Sequence, residues 1–273
     1  PILDCRNHVS ILVIPGRLML RKTSRRHAPG RVTSRNTINV EIAVNRNTQS
    51  NQHLRVRRVV GNRDLSATTY CLRFERSGME FEPGQYVSVG LPGEIDRREY
   101  SIYSGPEDEF LEILVKEVDV GTVSKKLRRL EPGDDLSVEG PFGFFVIPQE
   151  YRAGRFLFIS TGTGISPFHC FAQAYPELDY QLLHGVRTSL DFYEHEIFDP
   201  NRLTRCVTRE NSGDFEGRVT DYLRRHQLGA AAGKEAGGPF CYLCGNCDMI
   251  YEAFDILTDQ GVPPENLFAE VYF

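Results

Sequence analysis

From about His53 onward the chain alternates apolar and polar positions in short runs. LRVRRVV (54–60), TTYCLRFER (68–76), QYVSVGL (85–91), RREYSIYSG (97–105), FLEILVKEV (110–118) and DLSVEGPFGFFVIP (135–148) are rich in the Val, Tyr, Leu and Phe that favour strands. Turn signals at Gly61-Asn62, Pro83-Gly84 and Pro92-Gly93 separate them. Short strands at near-regular spacing predict a closed antiparallel β-barrel. Between the last two strands, Gly121-Thr122-Val123-Ser124 leads into a short helix over KKLRRL, ended by Glu131-Pro132-Gly133.

At Arg155 the pattern changes. RFLFIS (155–160) is a continuous apolar run of the kind buried in a parallel sheet, and it enters the glycine-rich TGTGISP and a helix. Further strands are predicted at YQLLHGV, RCVTRE and FCYLCG, with helices at SLDFYEHEIF, VTDYLRRHQL and MIYEAFDILTDQG. That alternation predicts a doubly wound α/β domain on a parallel sheet, and GAAAGKEAGGP (229–239) reads as a flexible loop. The expected division is an N-terminal extension over 1–52, a barrel over 53–152 and an α/β domain over 153–273.

The N-terminal stretch departs from both patterns. Residues 1–50 hold nine basic residues against Asp4 and Glu41, so a net −5 divides into +7 there and −12 elsewhere. This segment lacks the apolar content for a core and is expected to be disordered. It reads as a transit peptide for organellar import, a basic arm, or a tail without a role. The last fits best, because neither an amphipathic helical pattern nor aromatic interleaving supports the others. No apolar run approaches the ~20 residues of a membrane-spanning helix, and neither a membrane nor a nucleic acid is an expected partner. Seven cysteines, an odd number with no secretory signal ahead of them, suit a reducing compartment, and the cytoplasm is expected.

Candidate chemistry begins at Arg98-Glu99-Tyr100-Ser101. Strand alternation puts Tyr100 with Ile102 on one face and Ser101 with Tyr103 on the other. A guanidinium suits a diphosphate, a tyrosine face a ring system, and a hydroxyl a ring nitrogen. The same stretch also reads as an edge strand with a surface arginine. Gly121–Ser124 at a helix start offers free N–H groups to an anion, or simply caps the helix. Gly162-Thr163-Gly164, with Pro167 in the first helical turn, allows a diphosphate to approach the backbone. Thr208, Arg209 and Arg218 suit a ribose 2′-phosphate, whereas an inward-facing Glu210 would relax that choice. Cys241, Cys244 and Cys247 have C-x₂-C-x₂-C spacing but no suitably spaced fourth ligand, and strand alternation separates Cys241 from Cys244, so no metal site is expected.

Six motifs occur together in one order: R-x-Y-S (98–101), G-x-x-S (121–124), G-T-G-x-x-P (162–167), Thr-Arg (208–209), C-G-x-x-x-M (244–249) and the end Glu270-Val271-Tyr272-Phe273. In this the chain resembles the ferredoxin–NADP⁺ reductase family over roughly 53–273. The resemblance implies FAD in the barrel domain and NADP(H) in the α/β domain. It implies that Arg98, Glu99, Tyr100 and Ser101 contact FAD, and that Thr122, Val123 and Ser124 hold its diphosphate from the other side. Thr161, Gly162, Thr163, Arg187, Thr208, Arg209, Arg218, Gly245 and Met249 would serve NADP(H). Ser101, Cys244, Glu270 and Tyr272 would be catalytic, with Tyr272 covering the second flavin face. Phe273, one residue beyond the tyrosine that ends plastid-type members, is more like the bacterial branch, where the tail lies on FAD.

The expected function is electron exchange between NADP(H) and a one-electron carrier, ferredoxin or flavodoxin. One alternative is a reductase component of an oxygenase or a free-flavin reductase; another is a non-catalytic binding protein on the same fold.

Overall fold

The structure, a computed structural model, describes residues 55–119, 121–228 and 238–272. The N-terminal extension, most of the glycine-rich loop and Phe273 lie outside the described residues.

The first half is an antiparallel barrel. Its strands are β1 (Arg55–Asp64), β2 (Thr69–Glu75), β3 (Tyr86–Gly90), β4 (Arg97–Ser101), β5 (Phe110–Lys116) and β6 (Asp135–Phe142), hydrogen-bonded in the order β4-β3-β6-β1-β2-β5. A bridge between Ile102 and Ile113 closes β4 onto β5. Alternate side chains fill the interior, with Tyr70, Leu72, Phe74, Val87, Val89, Ile102 and Ile113 all fully buried. Helix α1 (Val123–Arg128) covers one end with Val123 and Leu127.

Gly61-Asn62 is not the expected turn. β1 runs through it with a bulge between Val59 and Gly61, pairing with β6 over Arg55–Arg58 and with β2 from Val59 onward. Glycine here accommodates the bend of a strand shared by two neighbours. The Asn62 amide instead donates to the carbonyls of Leu127 and Arg128 at the end of α1. The hairpin turn falls at Leu65–Thr68, where Leu65 and Ser66 N–H groups both reach the Thr69 carbonyl.

The second half is a six-stranded sheet with every pair parallel. It contains β7 (Arg155–Thr161), β8 (Asp179–Val186), β9 (Leu203–Val207), β10 (Phe215–Glu216), β11 (Phe240–Asn246) and β12 (Leu267–Tyr272), in the order β10-β9-β8-β7-β11-β12. The order reverses beside β7, placing a crevice at the carboxyl ends of β7 and β11. Helices α2 (Ser166–Ala174), α3 (Val219–His226) and α4 (Cys247–Asp259) cover the sheet.

The segment 189–198 is not the predicted helix but two 3₁₀ turns at Ser189–Asp191 and His195–Ile197. Contacts with the barrel override its local helical pattern. The Tyr193 hydroxyl lies 3.0 Å from that of Thr69, and Glu194 takes bonds from Arg63 and Tyr103. An aromatic core joins the halves. Tyr103, Phe145 and Ile147 from the barrel side pack with Phe158, Phe168, Phe171 and Tyr242 of the α/β side, and the Tyr242 hydroxyl donates to the Val146 carbonyl at 2.9 Å.

Candidate functional site

The site is assembled where β4 meets the carboxyl ends of β11 and β12. Ser101 ends β4 and is nearly inaccessible, at 2% exposure. Its hydroxyl donates to Oε1 of Glu270 at 2.5 Å and accepts from the Tyr272 hydroxyl, also at 2.5 Å. Glu270 and Tyr272 are two apart on β12 and therefore share a face. Cys244 lies beside Glu270 in the β11–β12 register and is completely buried. One hydrogen-bond chain thus runs Tyr272 → Ser101 → Glu270 across the junction of the two halves.

Burial sets the chemistry of this chain. It pushes the Glu270 carboxyl up to about 7, with the Ser101 bond opposing and the Glu99 charge reinforcing the shift. Burial and then the Glu270 charge raise the Cys244 thiol well above its ordinary range. Cys244 is therefore a neutral thiol, not a thiolate nucleophile.

Two cavities have Tyr272 in their walls. The first, about 190 Å³, has Arg98, Glu99, Tyr100 and Thr122–Ser124 in its wall. Apolar Leu114, Val118 and Val123 complete it. The adjacent arginines divide their roles: Arg97 is tied to Ser88 and Ser137, while Arg98 is exposed at the cavity. Thr122, at the start of α1, makes no side-chain capping bond. A guanidinium, a tyrosine face, uncapped backbone and an apolar wall fit a flavin dinucleotide. The second cavity, about 590 Å³, follows the carboxyl ends of the parallel strands and is lined by Thr161–Thr163, Arg187, Thr208, Arg218, Gly245 and Met249. Both cavities are lined by Lys116, Thr163 and Tyr272.

Residues 52–147 match the oxidoreductase FAD-binding domain, and residues 158–254 match the oxidoreductase NAD-binding domain. The chain belongs to the ferredoxin–NADP⁺ reductase family. Ferredoxin–NADP reductase B of Sorangium cellulosum is 29% identical over 238 residues, covering 79% of this chain and 96% of that protein. The electron transfer component of toluate 1,2-dioxygenase from Pseudomonas putida is 29% identical over 226 residues. That match covers 77% of this chain, but only 65% of the dioxygenase component. The cytochrome P450 reductase GcoB of Amycolatopsis superposes with a TM-score of 0.69 at 26% identity, over 81% of this chain and 70% of that one.

Within this reductase fold the residues singled out from sequence are unevenly placed. Those of the first cavity converge, as do Gly162, Thr163, Arg187, Thr208 and Arg218 at the second. Ser101, Cys244 and Glu270 lie beneath the surface, behind Tyr272. Arg209 is exposed and stands off the cavity lining; its N–H donates to the Arg187 carbonyl. Glu210 is engaged elsewhere, accepting from the Ser189 N–H at 2.5 Å and the Ser212 hydroxyl at 2.6 Å. Cys241 and Cys244 belong to separate core clusters.

Sequence reasoning missed Lys116, Asn246 and Asp248. Lys116 ends β5 and reads as an ordinary surface lysine, yet it borders both cavities. Asn246 and Asp248 line the second cavity at the start of α4, where the Asn246 side chain accepts from the Met249 N–H. An Asn three residues before the helical pattern sets in was the available capping signal.

Proposed function

We propose that this flavin- and nicotinamide-dependent reductase exchanges electrons between NADP(H) and a one-electron carrier such as ferredoxin or flavodoxin. The observation that carries this reading is the shared border of the two cavities, so that ligands in them would meet at Tyr272, above Ser101 and Glu270. Bound FAD supplies a ring that takes two electrons from a reduced nicotinamide and releases them singly.

The chain's own contribution is orientation and proton control. Arg98 and the backbone at Thr122–Ser124 hold a diphosphate, and Tyr100 lies against a ring. Tyr272 shields the opposite side and keeps water from Ser101 and Glu270. The Glu270 carboxyl holds a proton near neutrality, within reach of the Ser101 hydroxyl. Cys244, neutral and buried, shapes the floor beside Glu270.

Preference for the 2′-phosphorylated dinucleotide is supported by Thr208, Arg187 and Arg218 in one cavity wall and by the diversion of Glu210 to Ser189 and Ser212. Arg218→Ala is expected to raise KM for NADPH roughly tenfold or more while changing KM for NADH little. Equal effects on both would refute the phosphate assignment, and a colourless protein that takes up no FAD would sink the enzyme reading itself. The second reading, a reductase component serving an oxygenase, is favoured by the likeness to the toluate dioxygenase component and to GcoB. Cytochrome c reduction that depends on added ferredoxin or flavodoxin supports the first reading; reduction that needs neither supports the second.

A further inference from the structure

Beneath the glycine turn of the second cavity lie two histidines that no step above uses. His184, on β8, is fully buried and stands opposite Ser160 of β7. Its Nε2 is 2.9 Å from the Gly162 carbonyl oxygen, and its Nδ1 is 2.8 Å from Nε2 of His195. A carbonyl only accepts, so Nε2 of His184 carries a proton. Nδ1 of neutral His184 then accepts, and Nε2 of His195 must donate. Both rings stay neutral in the working range. Burial and then the neighbouring ring bring His184 down to about 3. Burial and then Arg205, opposed by Asp214, bring His195 down to about 4. His195 Nδ1 is left as a buried acceptor with no hydrogen-bond partner among the described residues. The relay therefore has one direction, His195 → His184 → Gly162.

That direction matters because the held carbonyl belongs to a glycine, whose backbone has the widest choice of conformations. Gly162 sits at φ +54°, and a Cβ placed there would meet nothing within 4 Å. Glycine at such a position samples several peptide orientations. In a trans peptide the carbonyl and the following N–H point in opposite directions. Fixing the Gly162 carbonyl inward on His184 thus turns the Thr163 N–H away from the sheet. This N–H opens a 3₁₀ turn, where it has no acceptor within the turn, and Thr163 lines both cavities.

We propose that His184, held in one tautomer by His195, is a positioning residue for the dinucleotide: it locks the Gly162–Thr163 peptide so that the Thr163 N–H is presented to the ligand's diphosphate. This rests on the reading of the second cavity as the NADP(H) site. Calorimetric titration of the FAD-loaded protein with NADP⁺ and, separately, with adenosine 2′-phosphate distinguishes the two. His184→Phe keeps a ring without a donor and is expected to weaken NADP⁺ roughly tenfold, the loss of about one hydrogen bond to a charged group. Adenosine 2′-phosphate, which has no diphosphate, keeps its affinity. His184→Gln, whose amide can still donate to the carbonyl, stays within about threefold of the unaltered protein for NADP⁺.

Unchanged NADP⁺ affinity in His184→Phe overturns the proposal. So do parallel losses for both ligands, which mark general disturbance of the domain, and a Gln variant as weak as the Phe variant. Should His184→Phe fail to fold, His195→Phe against His195→Gln makes the same comparison, since only the latter donates to His184 Nδ1. An unaltered protein that binds neither ligand removes the nucleotide reading itself, and the proposal with it.

Discussion

At the scale of single residues, Glu270 is a buried carboxyl whose charge the fold disfavours. Its carboxyl is raised from 4.5 to about 7, first by burial. The folded protein then binds this proton more tightly than the unfolded chain does. Stability attached to it is full below about pH 4.5, falls as pH rises through the window to about 7, and levels off above. The loss is up to roughly 3 kcal/mol for a shift of this size. Glu270→Gln retains an oxygen to accept from Ser101 and has no charge to bury. The variant should therefore lose less stability than the unaltered protein between about pH 5 and about pH 8. Glu194, where burial is outweighed by Arg63 and the Tyr103 hydroxyl together, and Asp214, held low by Arg205, contribute with the opposite sign at lower pH and are common to both proteins. Urea midpoints measured at the two pH values isolate the Glu270 share, and identical slopes would refute it.

At the scale of elements, the contact between β7 and β11 fixes the mouth of the second cavity. Gly245 sits at φ +130°, and a Cβ there would come within 2.4 Å of Thr161 Oγ1, 2.8 Å of Thr161 O and 3.0 Å of Thr161 N. Gly245→Ala is expected to cost about 2–4 kcal/mol, by strain and overpacking together. Thr161→Ala should not rescue it, because two of the three approaches are to backbone. Thermal denaturation of the single and double variants checks this; full rescue would show that the hydroxyl alone set the fit. Much of this scaffold was legible in the chain. Period-two runs announced β2 to β6, and RFLFIS entering TGTGISP announced β7 and its turn. What the sequence concealed was tertiary in origin. β12 carries Glu270 at an inward position that reads as exposed, and Ala269 weakens its strand signal. The helix-like SLDFYEHEIF is drawn out by Thr69, Arg63 and Tyr103 of the other half, about which local pattern holds no information. The R-x-Y-S motif picked Arg98 over Arg97, yet no local signal showed Lys116 standing between two cavities.

At the scale of the whole molecule, the site is a junction, so its persistence depends on how firmly the halves are joined. Phe168 of α2 is fully buried and packs against Phe145 from the barrel side, at 6.0 Å between ring centroids, and against Phe158 of β7, at 4.9 Å. The Tyr103 ring stacks on His169 of the same helix, with centroids 3.7 Å apart and planes within 10°. Its hydroxyl donates to Glu194, which also pairs with Arg63. A core shared in this way couples the halves, and unfolding of one exposes apolar surface of the other. Phe168→Ala is expected to cost about 3–5 kcal/mol, the usual range for a buried ring. Because Tyr103, Phe145, Ile147, Phe158, Phe171 and Tyr242 remain in the shared core, the loss of this one ring should not uncouple the halves at equilibrium. The halves carry separate signals: α2, α3 and α4 belong to the α/β side, whereas flavin release reports the barrel. Helical circular dichroism and flavin fluorescence should therefore change at one midpoint in the unaltered protein, and move down together in Phe168→Ala. Two resolved midpoints in the unaltered protein would mean that the barrel and the sheet are stable separately, and that the Ser101–Glu270–Tyr272 chain is made by docking rather than by a common core.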